Sequence, residues 1–282
     1  MTAMLTDLSP DALANAVEAN MTEQFAYFRR SPRAAVDESP EVLQFLSGIP
    51  IPEYNGVIRA RFARELAPGA LRGRIQAIIA SFAARRQPFL WWAGPSSTPA
   101  DLAGHLAAAG LVSLGDGPGM AADLDALDAL DALDERQAGP PGLSIVPVED
   151  ERTLRDWVEV AGAGYGEPAS IRQARYDVHV DLGLGAHLPL QRYVAYLDGR
   201  PVAMSALFLG AGVGGVYEVA TAKDARRRGI GAAITLAPLR RARELGYRIG
   251  VLHASEMGAG VYARLGFRQV CSFSLYAWEP PV

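Results

Sequence analysis

Cysteine and lysine are almost missing from this sequence, with one of each, Cys271 and Lys223, in 282 residues. A lone cysteine excludes a disulfide framework and any cysteine-rich zinc site. An excess of positive charge is missing as well. Lys and Arg total 27 against 31 Asp and Glu, a formal charge of −4, which argues against an electrostatic nucleic-acid binder. The first residues, Met1-Thr-Ala-Met-Leu-Thr-Asp7, lack the cationic and apolar regions of a signal peptide, so a cytoplasmic protein is expected. The longest nearly uncharged stretch, between Arg200 and Lys223, is broken by Gly210, Gly212, Gly214, Gly215 and Glu218. It predicts two buried strands and no membrane span. His179, His187 and His253 have no metal-ligand spacing and are expected to be structural or surface residues. Cys271 has no basic neighbour in sequence to lower its pKa and is expected to be a buried strand residue.

What is present is ample apolar material, 50% of the residues, enough for two small domains or one large one. Composition breaks between about residues 123 and 142. A low-complexity run with aspartates at 123, 125, 128, 131 and 134 leads into Gly139-Pro140-Pro141-Gly142. The run lacks the Gly and terminal Glu of a calcium loop, and clustered Gly and Pro continue neither helix nor strand. It reads as a linker over residues 125–142, between a first domain at 1–124 and a second at 143–282. The flanks carry an internal repeat at a gap-free shift of about 156 residues. It sets Arg72-Gly73 on Arg228-Gly229, Ala77-Ile78 on Ala233-Ile234, Ala103-Gly104 on Ala259-Gly260 and Gly110 on Gly266.

The second half predicts a strand at Leu143–Val148 and two helical segments from about 150 to 180, broken at Gly162, Gly164, Gly166 and Pro168. Next come a hairpin of Leu190–Leu197 and Pro201–Leu209 turning at Asp198-Gly199, and a strand at Val213–Ala222. A helix from Gly229 to Gly246 should kink at Pro238. A strand at Arg248–Ala254, a short helix at Gly258–Leu265 and closing strands over Phe267–Trp278 complete an α+β arrangement.

The chemistry concentrates at the end of the third of these strands. Val219-Ala-Thr221 runs into Lys223-Asp-Ala-Arg226-Arg227-Arg228-Gly229-Ile-Gly231-Ala232, where a helix begins. Glycines let the backbone approach a ligand closely, and a helix start presents four N–H groups without intrahelical partners. Its dipole favours an anion by about 0.3–1 kcal/mol. The spacing fits neither a G-x-G-x-x-G dinucleotide turn nor a G-K-[ST] loop.

Arg226-x-x-Gly229-x-Gly231 resembles the [Q/R]-x-x-G-x-[G/A] pyrophosphate loop of the GNAT acetyltransferase superfamily. Ser255-x-x-Gly258-x-x-x-Tyr262-x-x-x-Gly266-Phe267 is similar to that family's N-x-x-A-x-x-x-Y-x-x-x-G-F ending, with Ser255 in place of the Asn. The resemblance covers residues 143–282, and residues 1–122 only through the repeat. It implies tandem GNAT-like domains, each a mixed, mainly antiparallel sheet flanked by helices. It further implies transfer of an acetyl group from acetyl-CoA, with no metal, to a primary amine of a small molecule or peptide by direct attack. Cofactor contacts are then expected at Val219, Thr221, Arg226, Arg227, Arg228, Gly229, Gly231, Ala232 and Ser255, and an oxyanion-stabilising strand amide near Val219 or Thr221. Tyr262 would be the general acid for the departing thiolate. By its neighbours alone it reads as a core tyrosine beside Leu265 and Phe267. Glu218 is the nearest carboxylate to serve as base, although strand alternation also allows it to point away from the cofactor.

The first half keeps little of this. The 156-residue shift puts Ile75 at the Gly231 position and Leu106 at the Tyr262 position, so a degenerate copy is expected, walling the substrate cleft or supporting a homodimer. Trp91 and Trp92 are expected in core and interface. A second reading is an acyl-CoA-binding regulatory or interaction protein without transfer activity, separable from the first by thiol release from acetyl-CoA. Neither nucleic acid nor membrane is expected as a partner.

Overall fold

The structure is a computed structural model that describes residues 3–63, 69–127 and 139–281. The run of aspartates at 128, 131 and 134 therefore lies outside the described residues. Asp123 and Asp125 are described, and both face Arg248, at 3.1 and 3.8 Å.

The first half opens with helix α1 (Pro10–Tyr27), started by Ser9 as N-cap and a proline in the first turn. Strands β1 (Ala35–Glu38), β2 (Leu43–Leu46) and β3 (Asn55–Ile58) follow, then α2 (Ala70–Ala83), β4 (Phe89–Ala93), α3 (Leu102–Ala108) and β5 (Val112–Asp123). The second half runs β6 (Leu143–Pro147), α4 (Glu151–Tyr165), α5 (Ala169–Asp181), β7 (Leu190–Leu197), β8 (Arg200–Gly210) and β9 (Val213–Thr221). It ends with α6 (Ile230–Glu244), β10 (Ile249–His253), α7 (Glu256–Arg264) and β11 (Arg268–Trp278). Two hairpins are closed by consecutive left-handed residues, Asp198-Gly199 and Ala211-Gly212, the backbone that two-residue turns of twisted strands require.

All described strands form one sheet in the order β1-β2-β3-β4-β11-β5-β10-β9-β8-β7-β6. The halves are joined by exchanged strands. β5, the last strand of the first half, pairs with β10 of the second, and β11 pairs with β4 of the first. The two exchanged strands also pair with each other over most of their length. The core crosses the same boundary. Leu13, Val17, Phe25 and Phe45 share one buried cluster with Leu154, Trp157, Val194 and Met204. From α1, the buried Asn20 amide donates to the carbonyls of Phe208, Gly210 and Val213, while its Oδ1 accepts from Tyr217.

Two expectations change. Gly162 and Gly164 lie inside α4, and the break comes at Gly166 (φ 79°) and Pro168. A Cβ at Gly164 would stand 2.8 Å from the Ala220 Cβ, and one at Gly162 would displace the Arg172 side chain. α6 continues through Pro238, and the Ile234 carbonyl that a proline leaves without its helical donor accepts from Ser205 Oγ at 2.8 Å. The closing segment is the single strand β11.

The repeat also has a different register in its first part. Gly69 (φ 84°) precedes α2 as Gly229 (φ 79°) precedes α6, a separation of 160 residues that also relates β4 to β10. Only from the ends of α3 and α7 onward, at Gly110 and Gly266, does 156 hold. The four-residue difference lies in the connection between β4 and α3. Leu71, not Ile75, therefore stands where Gly231 does. No described helix is long and apolar enough to cross a membrane.

Candidate active site

β9 and β10 run parallel only over Gly214–Val216 and Gly250–Leu252; beyond Val216 they separate. A bulge marks the point. Met204 faces Ala220 and Ala206 faces Tyr217, so Ser205 is opposed by both Glu218 and Val219. Glu218 adopts φ 55°, a left-handed conformation costing a non-glycine residue about 1–3 kcal/mol and concentrated at functional sites.

A cleft of about 660 Å³ opens where the strands part, walled by the end of β9, the start of α6, α7 and the C-terminal end of α4. Of the residues expected from sequence, Val219, Thr221, Arg226, Arg227, Gly229, Gly231, Ala232, Ser255 and Tyr262 line it. Arg228 is exposed and lies off its walls, and so does Glu218. Gly229 begins α6 without a side-chain cap. The first intrahelical bond runs from Ala233 N to the Gly229 carbonyl, which leaves the amides of Ile230, Gly231 and Ala232 as the leading donors. Arg227, at φ 61°, curls the loop over this end. A Cβ on Gly231 would stand 3.6 Å from Thr221 Oγ1, so a larger side chain would project into the cleft.

Arg226 has a structural duty. Its guanidinium donates to the Thr221 carbonyl at 3.1 Å and the Gly164 carbonyl at 3.0 Å, tying β9 to α4. Ser255 is the N-cap of α7, accepting from Gly258 N at 3.2 Å, two residues earlier than a helix starting at Gly258 would need. The Tyr262 ring stands edge-on to Phe267 with centroids 6.3 Å apart, and burial pushes its phenol up to about 12. It therefore carries its proton at neutral pH. Tyr165, absent from the sequence expectations, also lines the cleft and is half exposed. Desolvation first, then the Glu218 charge, raises its phenol, and it also senses Tyr262.

Behind the cleft wall lies a buried polar cluster. Glu218 Oε1 accepts from the Tyr54 hydroxyl, which itself accepts from Arg175 Nη1. Arg175 is 1% exposed and forms a two-pronged pair with Glu167. Its Nη1 lies 3.8 Å from Glu218 Oε1, as does His179 Nε2. His179 Nδ1 accepts from Arg192 Nε at 2.7 Å. Burial, then Arg192 and Arg175, hold the imidazole well below its usual range, so it is neutral with its proton on Nε2. Burial lowers Arg192 to about 10, and it stays cationic. Burial raises Glu218 above the usual carboxylate range, opposed by Arg175 and by the Tyr54 hydrogen bond. Arg175 and His179 stand four apart on α5, a spacing that shares one helix face and was visible in the sequence. Tyr54, from the other half, carried no such signal.

Residues 190–269 match the family model described as an acetyltransferase (GNAT) domain. The match lies within the second half and spans β7 to the start of β11. The fold of the whole chain is also that of solved GNAT proteins. A GCN5-related N-acetyltransferase from Kribbella flavida has a TM-score of 0.68 at 20% identity, covering 94% of this chain and 96% of that one. A tandem GNAT protein from the clavulanic acid biosynthesis pathway has 0.59 at 16%, covering 99% and 98%. A GCN5-related N-acetyltransferase from Sphaerobacter thermophilus has 0.59 at 16%, covering 100% and 96%. No curated protein matches the chain. The chain thus shares the fold of these GNAT structures, the tandem one included.

Proposed function

We propose that the protein is an N-acetyltransferase that moves the acetyl group of acetyl-CoA to a primary amine of a small molecule or peptide. The observation that carries this reading is the uncapped start of α6, which opens beside Tyr262 onto a cleft where β9 has left its parallel partner. The residues suit an acyl-CoA. The amides of Ile230–Ala232 and the Arg227 side chain suit a pyrophosphate, the unpaired end of β9 at Val219–Thr221 suits an extended amide arm, and Gly231 leaves room for both.

Bound there, acetyl-CoA would supply the activated acyl group. A lysine-like amine, with a pKa near 10.4, needs about 4–5 kcal/mol to be presented neutral at pH 7. Glu218, on the β9 bulge next to the cleft-lining Val219, supplies the proton acceptor through one water. Tyr262 supplies a proton to the leaving sulfur. The domain division at 1–124 and 143–282 belongs to the same proposal, with the first half as support for a single working site.

Thiol release from acetyl-CoA with an amine panel tests the reading. Tyr262→Phe keeps the ring and is expected to lower kcat by about 10²-fold with acetyl-CoA affinity nearly unchanged. Binding without thiol release for any amine would favour the acyl-CoA-binding regulatory reading. Wild-type kcat with a lowered Tm would make Tyr262 a packing residue.

A further inference from the structure

The polar cluster behind the cleft contains one residue from the half that lacks the cofactor features. Tyr54 ends the turn Pro52–Tyr54 just before β3 and is 8% exposed. Its hydroxyl makes two bonds of opposite sense, accepting from Arg175 Nη1 and donating to Glu218 Oε1. Because Arg175 has no acceptor capacity, the phenol proton is directed to Glu218. Glu218 Oε2, by contrast, is buried without a partner. The two carboxylate oxygens are therefore unlike: one is held by a hydrogen bond and the other has no hydrogen-bond partner.

We propose that Tyr54 is a positioning residue for the second half's reaction, holding Glu218 through Oε1 and so fixing the carboxylate that takes the amine proton. The inference rests on the reading of Glu218 as proton acceptor. Proton transfer is balanced within the pair. The amine N–H bond breaks, its electron pair stays on nitrogen for attack on the acetyl carbon, and the proton forms an O–H bond on the Glu218 carboxylate. Tyr54 keeps its own proton throughout, its phenol being raised well above the usual range, first by burial. The groups facing Glu218 are Tyr54 from the first half, Arg175, His179 and Glu167 from α5 and its preceding loop, Arg192 from β7 and Tyr165 from α4. Of these, Tyr54 is the one that donates a hydrogen bond to the carboxylate.

The sign of the effect follows. The Tyr54 bond favours ionised Glu218, so its loss raises the Glu218 pKa. In Tyr54→Phe the carboxyl titration of Glu218, followed by ¹³C NMR on the whole protein and assigned with Glu218→Gln, should move up by about one unit. The acid limb of kcat/KM should move up with it, while acetyl-CoA affinity stays as in the parent. Tyr54→His, which keeps a ring and an N–H donor, should bring the titration part-way back and gives a second variant should Tyr54→Phe not fold. A Glu218 titration that does not move overturns the role of Tyr54 and leaves acetyl transfer standing. If the titration moves but the acid limb does not, the proton acceptor lies elsewhere, and both the assignment of Glu218 and this proposal fall.

Discussion

The two halves of the chain part their parallel strands at corresponding places and use the gap in opposite ways. In the second half, β9 leaves β10 after Val216, and nothing from the β10–α7 connection, Ala254-Ser255, refills the space. In the first half, β3 leaves β4 after Ile58, and the longer connection of residues 94–101 folds back into the gap. Thr98 N donates to the Ala60 carbonyl, Phe62 N to the Thr98 carbonyl, and Thr98 Oγ1 to the Phe62 carbonyl. Leu71 and Leu106, at the positions of Gly231 and Tyr262, are 8% and 0% exposed in a separate apolar core. Both halves even keep a left-handed residue at the divergence, Arg59 (φ 57°) and Glu218 (φ 55°), but Arg59 faces Glu38 at the surface while Glu218 faces Tyr54. A cleft of this kind can thus be closed by a few extra residues and two side-chain exchanges without losing the fold.

The largest expected effect follows from the exchanged strands. A protein comprising residues 143–282 alone keeps the cleft residues but loses β5 beside β10 and α1 beneath β8 and β9. It is expected to aggregate or to lack a cooperative thermal transition in circular dichroism. A soluble monomer with a single sharp melt would mean that the two halves are independent and that the shared core is incidental.

A smaller contrast is set by the last residues of β4 and β10, Ala93 and His253. Burial alone holds His253 at about 3, and its Nε2 has no partner. The unfolded chain binds a proton near pH 6.5 that the folded chain refuses, so stability is lost as pH falls below 6.5, until about pH 3. Between pH 8 and pH 5 this amounts to about 2 kcal/mol. In His253→Ala, which makes the second half like the first, the difference between urea stabilities at the two pH values should shrink by that amount. An unchanged difference would place the acid sensitivity elsewhere, with His179 the next buried imidazole.

Much of this site was legible because its chemistry is local. Gly229, Gly231, Ser255 and Tyr262 are fixed by short-range geometry, a left-handed helix start and a helix cap, and their spacing survives in the sequence. The repeat was legible in outline, yet its offset misled at Gly73. An alanine- and glycine-rich chain offers chance matches one helical turn away, and only the left-handed backbone at Gly69 settles the register. The strand exchange left no mark, because β5 and β11 carry the same kind of pattern whichever neighbour they pair with. Tyr54 lies 164 residues from Glu218, and no periodicity connects a turn in one half with a bulge in the other.

The central claim is that one half binds acetyl-CoA and the other has closed the equivalent gap. Isothermal titration of the intact chain with acetyl-CoA tests it most directly. The expected stoichiometry is one per chain, falling to none in Gly231→Leu, whose side chain reproduces Leu71, with Tm retained. A stoichiometry of two, or one that survives Gly231→Leu, would contradict it.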